Sequence, residues 1–120
     1  MVKSVLCFDL ETIPDVKGIK KLGLAPSGLC DQEVVEHVLK ERLSRGQSEF
    51  LPHYLQRVLV IGCLFRDDRG LKISCIEPSY SDEVKPDINL SVDDLAEASR
   101  IKKFFNIIEK YAPTIVSWNG

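Results

Sequence analysis

The run Val5-Leu6-Cys7-Phe8-Asp9-Leu10, followed at once by Glu11, constrains the fold more than any other segment of the chain. Alternate residues of a strand face opposite ways, so Val5 and Cys7 point to one side and Leu6, Phe8 and Leu10 to the other. Both sides are apolar, which predicts a central strand covered on both faces. Asp9 and Glu11 then fall two apart at the strand's end, with both carboxylates projecting to one side. Like charges repel there, and burying them uncompensated costs on the order of several kcal/mol each. A divalent cation that takes hard oxygen ligands, Mg²⁺ or Mn²⁺, is the natural compensation, and the carboxyl end of a strand is where open α/β sheets place their sites. The competing reading is that the strand has simply ended and Asp9-Leu10-Glu11 lies in solvent.

Further elements follow from periodicity. Val58–Phe65 is a second continuous apolar run of strand length, and the polar turn Arg66–Gly70 leads into Leu71–Ile76. There Leu71, Ile73 and Cys75 alternate with Lys72 and Ser74, which predicts an antiparallel hairpin whose second strand has one wet face. A helix is expected over Asp31–Ser44, capped by Asp31, with Val34, Val35, Val38, Leu39 and Leu43 as its apolar stripe. A longer one is expected over Val92–Tyr111, capped by Ser91, with Asp93 and Asp94 complementing the dipole. Its stripe is Leu95, Ala98, Ile101, Phe105, Ile108 and Ala112, and Pro113 ends it. Thr114–Trp118 reads as a last strand, brought parallel to an earlier one by the helical crossover. The segments 14–28 and 77–90 read as proline-bearing loops. The order strand, helix, hairpin, helix, strand predicts an α/β or α+β layer fold with a mixed sheet.

Composition narrows the class. A length of 120 residues allows one domain, and 44% hydrophobic residues supply a core. No apolar run approaches the roughly 18 residues of a membrane span, and the first residues show no cleavage pattern, so a cytoplasmic protein is expected. Cys7, Cys30, Cys63 and Cys75 have no metal-ligand spacing, and three of them sit in apolar runs, where free cysteine behaves as a buried apolar residue. The formal net charge of −2 argues neither for nor against nucleic acid, because an enzyme that grips phosphates through metal ions needs carboxylates more than lysines. Lys17, Lys20 and Lys21, and Lys40, Arg42 and Arg45, are most simply solvated faces.

Phe8-Asp9-Leu10-Glu11-Thr12 resembles the first motif of the DEDD superfamily of 3′–5′ exonucleases, whose fold is ribonuclease H-like. Phe50-Leu51-Pro52-His53-Tyr54-Leu55-Gln56-Arg57-Val58 and Ile115-Val116-Ser117-Trp118-Asn119-Gly120 are similar to the predicted exonucleases related to the proofreading domain of family B DNA polymerases. The resemblance spans the chain but only about the first half of that family's domain. It implies a ribonuclease H-like mixed sheet with flanking helices, truncated after the fourth strand, so that residues 1–120 form a single partial exonuclease domain ending inside the second motif. It also implies a two-metal phosphodiesterase in which Asp9 and Glu11 are catalytic metal ligands for Mg²⁺ or Mn²⁺, one ion activating water and the other stabilising the leaving 3′ oxygen. Thr12 would sit beside the 3′-terminal nucleotide through its backbone amide, and Asn119 would line the substrate groove. On their own, Thr12 could equally cap a turn and Asn119 end a strand.

In that family the two remaining acidic ligands and the base lie beyond the second motif's asparagine, so the chain by itself is expected to be inactive. The expected partner is nucleic acid, a single-stranded DNA 3′ end, with no membrane, and a homodimer through the exposed C-terminal strand. A non-catalytic ribonuclease H-like module binding nucleic acid or protein is the alternative, and a resolvase- or transposase-type nuclease a third. His53 is expected to be a surface group. Gln56 and Arg57 either touch phosphate or solvate the start of a strand. Trp118 and Phe104 could stack on bases, although Phe104 and Phe105 read as helix core, and Gly62 suggests a bulge or a close backbone approach.

Overall fold

Strand β1 runs over Val5–Pro14 in the computed structural model, which describes residues 2–78 and 91–117. After it come α1 (Val16–Lys21), α2 (Asp31–Ser44), a 3₁₀ turn (His53–Leu55), β2 (Gln56–Asp67), β3 (Gly70–Cys75), α3 (Val92–Tyr111) and β4 (Thr114–Ser117). These elements fall into two units: residues 1–11 with 58–120, which hold most of the sheet and α3, and residues 12–57, which hold α1 and α2. The sheet has the order β3-β2-β1-β4, with β2 and β3 antiparallel and β1 and β4 parallel. A four-stranded mixed sheet with helices after β1 and before β4 is the α/β, ribonuclease H-like architecture expected.

The core of the sheet unit is Leu6, Ile61, Cys63, Ile76 and Phe104, with Phe8, Phe65, Ile101 and Ile108 packed around it. Leu6 is fully buried, and the Phe8 and Phe104 rings meet edge to face at 4.9 Å. Helix α3 begins in a reciprocal capping box: the Ser91 hydroxyl accepts from the Asp94 N–H at 3.2 Å, and the Asp94 carboxylate accepts from the Ser91 N–H at 3.1 Å. Glu97 on its next turn accepts the backbone N–H of Val58.

The stripe of α3 differs from the expected one. Ala96, Ser99 and Phe104 are buried, whereas Ala98 is exposed and Phe105 is 59% exposed. The doublets Phe104-Phe105 and Ile107-Ile108 permit two apolar stripes about 100° apart, and periodicity cannot choose between them. Ala112 closes the helix at φ 40°, in the left-handed region that disfavours side chains, and Pro113 and β4 follow directly.

Strand β3 also departs from expectation. Lys72 and Ser74 pair with Phe65 and Cys63, two residues of the covered face, while Ile73 and Cys75 pair with Leu64 and Gly62. Directly opposed residues share a face. The apolar side of β3 therefore points away from α3, and Ile73 is 74% exposed. The two-residue turn Asp68-Arg69, closed by Gly70 at φ 129°, sets this register, and a shift of one residue would invert every side chain. The register of β2 against β3 is regular from Gly62↔Cys75 to Asp67↔Gly70, so no bulge interrupts that pairing.

The second unit packs α1 and α2 over Ile19, Val34, Val38, Leu51 and Leu55. Helix α1 was expected to be loop; Asp15 starts it by accepting from the Gly18 N–H at 3.1 Å. Helix α2 is capped at Cys30 rather than Asp31, with Glu33 reaching back to the Cys30 N–H at 2.9 Å. Its Leu43 is exposed, contrary to the expected stripe. Among the described residues no helix is long and apolar enough to cross a membrane.

All four cysteines are free, but only Cys63 is buried; Cys30 and Cys75 are exposed. Burial, and secondarily the nearby Cys75, hold the Cys63 thiol above its ordinary value. The unfolded chain therefore ionises this thiol first, and its contribution to stability is lost as pH rises beyond about 8.5. Iodoacetamide at neutral pH is expected to label Cys30 and Cys75 rapidly and Cys63 only as the chain opens, with peptide mapping as the readout.

Candidate active site

Asp9 and Glu11 both lie within β1, separated by Leu10, so the period of the strand puts their carboxylates on one face. The described register of β4 against β1 ends at Phe8↔Ser117, one residue before Asp9. The sheet order adds a second reason to look here. From β1 the chain builds β2 and β3 on one side, then returns to place β4 on the other, so the order reverses at the parallel pair β1/β4. In open α/β sheets a crevice forms outside the carboxyl ends of strands at such a reversal, and ligands bind in it. Both carboxylates lie just beyond the part of β1 paired with β4, although β1 itself continues to Pro14 and does not end at Leu10 as expected.

Their environment corrects part of the sequence reading. Asp9 and Glu11 are exposed, so neither carries the desolvation cost that burial would have imposed. Mutual repulsion of two carboxylates on one strand face remains, and is itself reduced by water. Asp9 borders an apolar groove of about 480 Å³, lined also by Cys7, Leu64, Ile73 and Cys75. Gly62 lies on the same groove, and a Cβ there would meet the Asp9 carbonyl oxygen at 3.9 Å, an ordinary contact.

The other expected residues are distributed differently. Thr12 is exposed, and its hydroxyl donates to the Gln56 side-chain oxygen, while the Gln56 amide nitrogen donates to the Leu51 carbonyl. This relay fixes the Thr12 side chain and gives Gln56 a structural task. Asn119 lies outside the described residues, as do Trp118 and Gly120. His53 is exposed on the 3₁₀ turn, as expected of a surface group. Sequence reasoning did not bring together Lys17, Lys20 and Arg57, which line one cavity. Their convergence depends on α1 and the start of β2 packing in one unit, and no local pattern carries that information.

As a metal site the pair is chemically apt and incomplete. Carboxylate oxygens are the hard donors that Mg²⁺ and Mn²⁺ prefer. Among the described residues, however, no group of three or more His, Cys, Asp or Glu side chains is placed to hold an ion. Asp9 and Glu11 can therefore supply part of a coordination shell whose remaining positions fall to water, phosphate oxygens or further ligands.

A family model described as a predicted 3′-5′ exonuclease related to the exonuclease domain of PolB matches residues 48–120. The matched segment contains β2, β3, α3 and β4, and begins after Asp9, Glu11 and Thr12. No curated protein and no solved structure matches the chain.

Proposed function

Because the chain belongs to the family of predicted 3′-5′ exonucleases related to the exonuclease domain of PolB, we propose that it contributes the first metal-binding carboxylates of a nuclease acting on nucleic-acid 3′ ends. The observation that carries this reading is the placement of Asp9 and Glu11 on one face of β1, where the sheet order reverses. A bound Mg²⁺ or Mn²⁺ would supply Lewis-acid activation of water and charge neutralisation at the phosphate. Asp9 and Glu11 hold the cation through their carboxylate oxygens, and their exposure leaves them accessible to substrate. Thr12 and Asn119 flank the terminal nucleotide in this reading, and the substrate is single-stranded DNA. The free thiols of Cys7, Cys30, Cys63 and Cys75 support a cytoplasmic setting.

Two ligands do not complete a two-metal site, so the 120 residues by themselves are expected to show little or no nuclease activity. Digestion of labelled single-stranded DNA with and without Mn²⁺ tests both statements. Robust, metal-dependent cleavage that survives Asp9→Ala would remove these carboxylates from the site. Absence of any Mn²⁺ binding that depends on Asp9 and Glu11 would favour the second reading, a non-catalytic ribonuclease H-like module. One observation favours that module: no third ligating side chain joins Asp9 and Glu11 among the described residues.

We also propose a homodimer through β4. The strand lies at the edge of the described sheet, and Ile115 and Val116 are each about half exposed, at 47% and 46%. Sedimentation velocity is expected to show a concentration-dependent dimer; a single monomer boundary at every concentration would count against it.

A further inference from the structure

We propose that the cavity of about 370 Å³ between the β2–β3 hairpin and the end of α3 is a binding site for a nucleoside monophosphate. Its floor and inner wall are apolar. Leu6 and Cys63 are buried there, and Phe65, Ile107 and Tyr111 complete the lining on that side. The Phe65 and Tyr111 ring centroids stand 5.0 Å apart, and the Lys110 Nζ lies 4.9 Å from the Tyr111 centroid, so two contacts hold that ring.

The polar edge comes from the hairpin. Lys72 and Ser74 pair with Phe65 and Cys63 and so project to the side that carries the core, while Arg69 belongs to the turn. All three line the cavity, and among the described residues no hydrogen bond or ion pair engages their side chains. Asp67 is the only acidic residue of the described lining, and its carboxylate already accepts the Arg69 backbone N–H at 2.8 Å.

Two cations and a hydroxyl at the edge of an apolar hollow select an anion that carries a flat apolar body. A guanidinium fork and an ammonium suit phosphate oxygens, and the ring wall suits a base. A bare inorganic anion would leave the apolar lining wet, and an uncharged ring would leave the cations unused. The volume lies at the small end of ligand pockets, about 300–1,000 Å³, which admits a single nucleotide and no longer strand.

The cavity is separate from the carboxylate pair. Leu6 lines it, and Asp9, three residues along β1, points to the opposite side of the sheet. The choice of a nucleotide over other aromatic anions rests on the nuclease reading, because stepwise hydrolysis at a 3′ end releases nucleoside monophosphates. The cavity thus takes a product of that reaction.

Isothermal titration calorimetry of the full chain with thymidine 5′-monophosphate, in EDTA so that no divalent cation contributes, reads the site directly. Saturable binding is expected, with thymidine and inorganic phosphate each at least about tenfold weaker, because each lacks one of the two recognised parts. Arg69→Gln/Lys72→Gln alters two exposed side chains and is expected to weaken binding about tenfold or more. Ser74→Phe fills the cavity from an exposed strand position that favours aromatic residues, is expected to abolish binding, and stands as the test should the other variant fail to fold. Lys40→Gln/Lys102→Gln removes the same charge elsewhere and is expected to stay within about twofold of the parent.

No binding by the parent at millimolar nucleotide, phosphate held as tightly as the nucleotide, or equal losses in pocket and control variants would each overturn the inference. Binding that appears only with Mn²⁺ would move the nucleotide to the carboxylate pair and also overturn it. Failure of the nuclease reading shows separately, as Mn²⁺ binding that is indifferent to Asp9, and leaves the calorimetry in EDTA unchanged.

Discussion

Phe104→Ala is expected to cost about 3–5 kcal/mol of folding stability, a large part of the roughly 5–15 kcal/mol that holds a domain together. Phe104 is 9% exposed and belongs to the cluster that joins α3 to β1 and β2. Truncating it removes apolar burial and leaves a cavity beneath a helix that cannot collapse freely onto a sheet. It also removes the edge-to-face contact with Phe8 at 4.9 Å, a term of about 0.5–1.5 kcal/mol beyond area. Phe105→Ala is the matched control. That ring is 59% exposed and touches Phe104 at a centroid distance of 5.6 Å, so its loss is expected to cost about 1 kcal/mol or less. Urea denaturation of both variants decides the matter. Equal costs, or a larger cost at Phe105, would return the helix to the stripe that periodicity alone suggested.

Asp9→Asn is expected to abolish specific Mn²⁺ binding while leaving the metal-free fold as stable as before, or slightly more so. The carboxylate is exposed, so its removal leaves no buried partner unsatisfied, and it relieves repulsion with Glu11 across one strand face. Metal affinity responds in the opposite sense. Losing a group that merely orients a ligand already costs about 10–100-fold, and losing one of two anionic ligands costs more. Thermal unfolding reads both effects at once. At a Mn²⁺ concentration about ten times the dissociation constant, a metal that binds only the folded chain adds about 1.4 kcal/mol, and this increment is expected in the parent and absent in Asp9→Asn and Glu11→Gln. An undiminished increment in either variant would place the ion elsewhere.

Much of this protein is legible locally. The apolar run from Val5, the hairpin around Gly70, the Ser91 capping box and the Asp9–Glu11 spacing are short-range patterns, and the strands, the longer helices and the carboxylate pair follow from them. Helix α1 escaped this reading because its signal is one capping aspartate and six residues with a glycine inside. The face of β3 and the stripe of α3 escaped for a different reason. In α3 the doublets Phe104-Phe105 and Ile107-Ile108 allow either stripe and helix packing chooses, whereas in β3 the turn register turns Leu71, Ile73 and Cys75 away from the core against their apolar alternation.

The sequence by itself determined the order of the strands and longer helices and the chemistry offered on β1, because backbone propensity and side-chain type act over a few residues. Tertiary structure alone decided that β1 stands between β2 and β4, that Asp9 and Glu11 face solvent, and that Lys17, Lys20 and Arg57 share a cavity. Those facts depend on contacts between segments far apart in the chain, whose formation is settled by packing and the closure of long loops, and no local pattern encodes them.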